Sequence, residues 1–126
     1  MIRVLVVDDH VGFRDALVSL LENQADLEVV GMAGALSEAL TMLKGVDVAL
    51  LDRGLPDGDG LELLGELRAI NPGARVYVMS ATAEMIHPTD AIEAGADGVI
   101  DKIAPPEQVF AAIRGTEAGK PTHPSA

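Results

Sequence analysis

The sequence predicts an α/β fold, a doubly wound parallel sheet with helices on both faces. Three observations predict it. Short apolar runs alternate with amphipathic stretches five times along the chain. The runs, such as Val4 to Val7 and Val48 to Leu51, are apolar throughout, as strands covered on both faces must be. At 126 residues, 48 % of them hydrophobic and 23 % charged, the chain has the size and composition of one soluble domain and not of a disordered segment.

Each element has its own signal. Arg3 to Val7 is the first strand. Phe13, Ala16, Leu17, Leu20 and Leu21 then recur at helical spacing and form one apolar face. Glu28 to Ala33 reads as the second strand. Ser37 is expected to cap a second helix that carries Leu36, Ala39, Leu40 and Leu43. Asp47 to Leu51 is the third strand. Leu61, Leu63, Leu64, Leu67 and Ile70 mark a third helix, stopped by Asn71-Pro72-Gly73. Arg75 to Met79 is the fourth strand. Pro88 opens a short fourth helix that runs to Ala94 and ends at Gly95. Gly98 to Ile100 is the fifth strand, and Pro105-Pro106-Glu107 starts a last helix bearing Val109, Phe110 and Ile113. Residues 119–126 are Gly, Pro and small polar residues and read as a linker or frayed end.

Composition excludes several functions. There is no Cys, so neither a disulfide scaffold nor thiolate chemistry is available. No apolar run approaches the ~20 residues of a membrane span. The start reads as a strand followed by acids and not as a signal peptide, so the expected compartment is the cytoplasm. Nine Lys and Arg stand against 20 Asp and Glu, a net charge of −11 that repels DNA phosphates and anionic lipid. With Phe13, Tyr77 and Phe110 as the only aromatic residues, no platform for stacking bases exists.

In an open parallel sheet, ligands bind outside the carboxyl ends of the strands. Asp8 and Asp9 follow the first strand, Asp52 the third, Ser80 the fourth and Lys102 the fifth. Singly, each has a plain reading as a helix cap, a turn residue, a loop hydroxyl or a solvated lysine. Together they place three carboxylates, a hydroxyl and one of the chain's three lysines on one edge. Clustered carboxylates repel one another unless a cation neutralises them. Hard oxygens favour Mg²⁺, which keeps several waters and takes one or two carboxylates plus a phosphate. The set fits a carboxylate that attacks a phosphoryl group and holds it as an acyl phosphate. Asp52, alone at the end of the middle strand, is the candidate nucleophile.

These residues, read with their neighbours, resemble the receiver domain of a two-component response regulator over roughly residues 1–118. The matching pieces are Val6-Val7-Asp8-Asp9, Leu51-Asp52-Arg53-Gly54-Leu55-Pro56-Asp57-Gly58-Asp59-Gly60, Met79-Ser80-Ala81, Ala94-Gly95-Ala96-Asp97-Gly98 and Lys102. The resemblance implies a flavodoxin-like (βα)5 fold with strand order 2-1-3-4-5. It implies that Asp52 is the phosphoacceptor and that a sensor histidine kinase is the donor. It implies that Asp9 binds Mg²⁺ directly, Asp8 partly through water, and Gly54 through its backbone carbonyl. Ser80 and Lys102 would meet the phosphoryl oxygens, and small Ala81 would leave the pocket open. Such a protein takes part only in its own phosphotransfer and autodephosphorylation and is otherwise not an enzyme.

Lys102-Ile103-Ala104-Pro105-Pro106-Glu107-Gln108, the stretch from Ala111 to Gly115, and Asp8-Asp9-His10 with Phe13-Arg14 resemble the LuxR-type class. That class implies a helix-turn-helix output domain, a role in transcription and possible homodimers. No output domain is present in this chain, so DNA would be met only through a domain outside it, and residues 119–126 sit where that class has its linker. In the class an aromatic residue usually follows Gly98. Here Val99 stands there, which puts the switch that pairs it with Ser80 in question. Two rivals are weighed. An aspartyl-nucleophile phosphatase would want an acid two residues past Asp8, where His10 stands; an atypical receiver working without phosphorylation would have lost an acid or the lysine. His10 itself is read as an exposed residue at a helix start, not as a phosphodonor or metal ligand. Gly58-Asp59-Gly60 lacks the third glycine of a dinucleotide fingerprint, and its acids would repel pyrophosphate.

Overall fold

The structure, a computed structural model, describes residues 1–80, 92 and 94–115. Along the chain run β1 (Ile2–Val7), α1 (Val11–Glu22), β2 (Leu27–Ala33), α2 (Leu36–Ala39) and β3 (Val48–Asp52). Then come β4 (Gly54–Leu55), β5 (Gly58–Asp59), α3 (Glu62–Ile70), β6 (Arg75–Ser80), β7 (Gly98–Asp101) and α4 (Pro106–Arg114). Five of the strands form a parallel sheet in the order β2-β1-β3-β6-β7. Counted within the sheet, that is the expected 2-1-3-4-5. The antiparallel ribbon of β4 and β5 is an addition that is not among the expected elements.

Alternation along each strand divides the core in two. Leu5, Val7, Ala49, Leu51, Val76 and Val78 pack with Leu36, Leu63 and Leu67 on the face covered by α2 and α3. Val4, Val6, Val48, Leu50, Tyr77, Met79 and Ile100 pack with Leu17, Leu21, Val109 and Ile113 under α1 and α4. β3 is buried throughout. It therefore delivers the end of the central strand to a place that protein surrounds on several sides.

Two element expectations need correction. Ser37 is not the cap of α2: it lies inside the helix, and Ala35 holds the cap position without a side-chain bond. The cap comes from Asp57, whose carboxylate accepts the N–H groups of Leu36 at 2.7 Å and Ser37 at 2.9 Å. The helix is also only one turn long, because three-residue bonds (Thr41 N–H to Glu38 O, Met42 N–H to Ala39 O) take over beyond it. That tightening leaves Leu40 exposed while Leu36, Ala39 and Leu43 stay buried. At the other end, Pro105 and Pro106 do start α4, and Gly115 closes it with a left-handed φ of 73°. The helix expected from Pro88, residue Ala81 and the segment 119–126 lie outside the described residues.

Candidate functional site

The carboxyl edge of the sheet carries the chemistry. Asp52 ends β3 and is 1 % exposed; Asp8 follows β1 and is 2 % exposed. Neither carboxylate has room to take up a hydration shell of its own. Lys102 follows β7, and its Nζ lies 2.8 Å from Asp8 Oδ2 and 3.3 Å from Asp52 Oδ2. The lysine is fixed at both ends: its backbone N–H donates to Ser80 O at 2.8 Å, and its ammonium lies 5.1 Å from the centre of the Phe13 ring. A matching contact on α4 puts the Arg114 guanidinium 5.6 Å from the Phe110 ring centre. Asp9 is more open, with about a third of its side chain exposed.

Burial sets the electrostatics. It works to raise the pKa of Asp8, but the Lys102 ammonium and the backbone N–H of His10 outweigh it and hold the carboxyl below its ordinary value. At Asp52, burial is again the largest influence, the Asp8 charge adds to it, and the N–H of Gly54 and the Lys102 ammonium do not offset the two. Its pKa is raised. Burial works to lower the pKa of Lys102, and the two aspartates reverse this and raise it. One lysine thus serves two buried acids and satisfies one of them better than the other.

The loop after β3 is built around Asp52. Gly54 donates its N–H to Asp52 Oδ1 at 3.1 Å. Arg53 turns away and pairs with Asp59 across the β4–β5 ribbon at 2.8 Å. Asp59 also accepts the N–H of Leu61 at 2.9 Å and so fixes the entry to α3. Gly60 passes so close to the chain that a Cβ there would collide with the carbonyl oxygen of Asp52. These supports escaped the sequence reading. Arg53, Asp59 and Gly60 stood in the matching segment without a supporting role of their own, and Asp59 and Gly60 also in the rejected dinucleotide motif.

His10 is the second departure. It is exposed at the start of α1, as expected, with 62 % of its side chain accessible. Yet its ring turns into the cluster: Nδ1 lies 3.0 Å from Asp8 Oδ1, 3.5 Å from Asp9 Oδ1 and 3.6 Å from Asp52 Oδ2. The four side chains offer ligand atoms within 4.8 Å of one another. Ser80 sits half-buried at the end of β6, paired in register with Asp101. Val99 is half-buried in β7 and packs on the α2–α3 side of the sheet.

Comparison with known proteins agrees with this geometry. Residues 4–114 match the family model described as the response regulator receiver domain. The transcriptional activator DevR/DosR of Mycobacterium tuberculosis is 37 % identical over 122 residues, which are 95 % of this chain and 56 % of that protein. The chain therefore spans little more than half the length of that relative. The signal receiver domain of the putative response regulator NarL from Mycobacterium tuberculosis superposes with a TM-score of 0.81 at 32 % identity, covering 94 % of this chain and 98 % of that one. A response regulator from Burkholderia pseudomallei, solved with a phosphorylated aspartic acid, a calcium ion and citrate, superposes with a TM-score of 0.73 at 27 % identity, covering 90 % of this chain and 66 % of that one. Sheet order, the acid cluster at its carboxyl edge and a family match over nearly the whole described chain converge, and the chain belongs to the receiver-domain family of response regulators.

Proposed function

We propose that Asp52 is a phosphoacceptor that takes its phosphoryl group from the phosphohistidine of a sensor kinase, with Mg²⁺ held by Asp8, Asp9 and Asp52. The observation that carries this reading is a buried carboxylate at the end of the central strand, facing one ammonium and two further acids. A carboxylate oxygen of Asp52 forms the new O–P bond as the donor's N–P bond breaks, and the imidazole nitrogen leaves with the electron pair. Burial strips water from the nucleophile and protects the acyl phosphate it becomes. The Gly54 N–H steadies one oxygen of Asp52, and Lys102, held against Ser80 O, is placed to meet the phosphoryl oxygens together with the Ser80 hydroxyl.

The donor set fits the metal. Its oxygens are hard, and the buried Asp8 Oδ2 has no hydrogen-bond donor besides the Lys102 ammonium. When bound, Mg²⁺ supplies positive charge against the oxygens of the transferring group. The carbonyl of Gly54 completes the proposed ligand set. The phosphorylated aspartic acid and calcium ion of the Burkholderia pseudomallei protein support both assignments.

Residues 1–118 form the receiver, and residues 119–126 are a linker to a DNA-binding output domain in a cytoplasmic transcription regulator that can dimerise. Relatives such as the DevR/DosR activator support that wider reading. Intact-mass spectrometry after incubation with acetyl phosphate and Mg²⁺ tests the chemistry. One phosphoryl adduct is expected, absent in Asp52→Asn and absent without the metal. An adduct that survives Asp52→Asn would overturn the assignment.

A further inference from the structure

We propose that His10 is a ligand of the cation in this pocket, through Nδ1, and that it turns an all-oxygen site into one selective for late first-row divalent ions such as Co²⁺ and Zn²⁺ over Mg²⁺. This rests on the reading of the acid cluster as a cation site.

The geometry is that of a shared centre. On an octahedral ion with bonds of ~2.1 Å, neighbouring ligand atoms stand roughly 3.0 Å apart. His10 Nδ1 lies 3.0, 3.5 and 3.6 Å from one oxygen of each of the three carboxylates. A single nitrogen facing three acids from one side occupies a corner of such a set. The Lys102 ammonium lies 3.2 Å from the same nitrogen. With its proton on Nε2, His10 accepts from that ammonium through the single Nδ1 lone pair; with its proton on Nδ1, it donates to Asp8 Oδ1 at 3.0 Å. A divalent ion that takes the place of the Lys102 ammonium among Asp8, Asp52 and His10 meets the Nδ1 lone pair of the Nε2–H tautomer. The backbone holds the ring there: His10 has the extended conformation of a helix-cap residue, and its own N–H donates to Asp8 Oδ1 at 2.8 Å.

Selectivity follows from the donor. Mg²⁺ takes oxygen ligands and keeps its water, whereas an imidazole nitrogen suits the later divalent ions, whose affinities rise along the first row. Asp8, Asp9 and Asp52 serve either ion; His10 distinguishes them.

Calorimetric titration of the metal-free chain with Mg²⁺ and with Co²⁺, in wild type and His10→Ala, measures this. The variant loses no cap, since the His10 side chain makes no capping hydrogen bond. The expected result is a Co²⁺ affinity lowered about tenfold or more, no less than the loss caused by removing a group that merely supports a ligand. Mg²⁺ affinity is expected to stay or rise. Pulsed electron paramagnetic resonance of bound Mn²⁺ supplies an independent readout: imidazole nitrogen coupling in wild type, gone in His10→Ala, and bound Mn²⁺ itself diminished in Asp9→Asn. Equal losses for Mg²⁺ and Co²⁺, or bound Mn²⁺ without nitrogen coupling in wild type, would overturn the role of His10 and leave the cation site standing. Wild type that binds none of the three ions, or binds them unchanged by Asp9→Asn, would overturn the cation site and the role of His10 with it.

Discussion

Asp8 and Asp52 share one lysine, and their proton affinities move in opposite directions. Asp52 holds its proton more tightly in the folded protein than an unfolded chain does, because burial and the Asp8 charge both penalise its anion. Its contribution to stability therefore falls as pH rises from the unfolded value through the raised folded one. Asp8 is the reverse. Its pKa is lowered against burial by Lys102 and the His10 N–H, so its contribution is present above the unfolded value and is lost as pH falls through the folded one. At neutral pH without divalent ions, Asp52→Asn should melt above wild type and Asp8→Asn below it, a few degrees for each ~1 kcal/mol. Thermal melts in a chelating buffer decide, and two variants displaced to the same side would contradict this division. The positions of Asp8, Asp9, Asp52, Ser80 and Lys102 were legible in the sequence because each follows an apolar run, and run ends map onto one sheet edge. The direction of the His10 ring was not, since its position beside two acids is equally compatible with a ring turned to solvent.

At the scale of elements, α2 depends on a residue from another part of the chain. Asp57, in the turn between β4 and β5, accepts the first two N–H groups of a helix that is one turn long. Those bonds lower the pKa of Asp57. Their stabilisation is thus present above the ordinary aspartate value of roughly 3.9 and is lost as pH falls through the depressed folded value. Asp57→Ala should melt below wild type at neutral pH, and the gap should close on acidification into that window. A gap independent of pH would show that the carboxylate charge is not what the helix uses. Sequence periodicity found α1, α3 and α4 because their apolar faces are several turns long. It assigned α2 a longer span and the wrong cap, because a cap that arrives from 20 residues away leaves no local signal. The ribbon of β4 and β5 was hidden for a related reason: two residues per strand carry no period to read.

At the scale of the molecule, the two halves of the core lie on opposite faces of a sheet whose central strand ends at the pocket. β7 is the edge strand, separated from β3 by β6, and it carries Val99. Val99 is β-branched, stiff about χ1 and much smaller than an aromatic ring, so it cannot sweep between exposed and buried rotamers. Phosphorylation should therefore alter self-association only slightly, with coupling at or below the low end of the ~1–3 kcal/mol usual for allosteric pairs. Val99→Tyr should strengthen it. Sedimentation with and without beryllofluoride measures both, and a strong shift in wild type that Val99→Tyr leaves unchanged would place the switch elsewhere. The net charge of −11 bears on the same scale, because it repels DNA phosphates.

The rings of Phe13 and Phe110 each lie against a different cation, Lys102 and Arg114. They are the chain's two phenylalanines. Fluorinated phenylalanine incorporated throughout would therefore give a fluorine spectrum of two lines with separate meanings. The Arg114 side chain is tied to Asp26 by paired contacts of 2.7 Å, far from the pocket chemistry, so the Phe110 line serves as an internal reference. The Phe13 line reports where the lysine ammonium is. If Lys102 leaves the aspartates for an arriving phosphoryl group, that line should move on addition of acetyl phosphate and Mg²⁺ and stay still in Asp52→Asn. A Phe13 line that does not respond in a phosphorylated sample would mean that Lys102 keeps its place. The molecule thus carries its own two-channel spectrometer, one ring watching the reaction and one ring setting the zero.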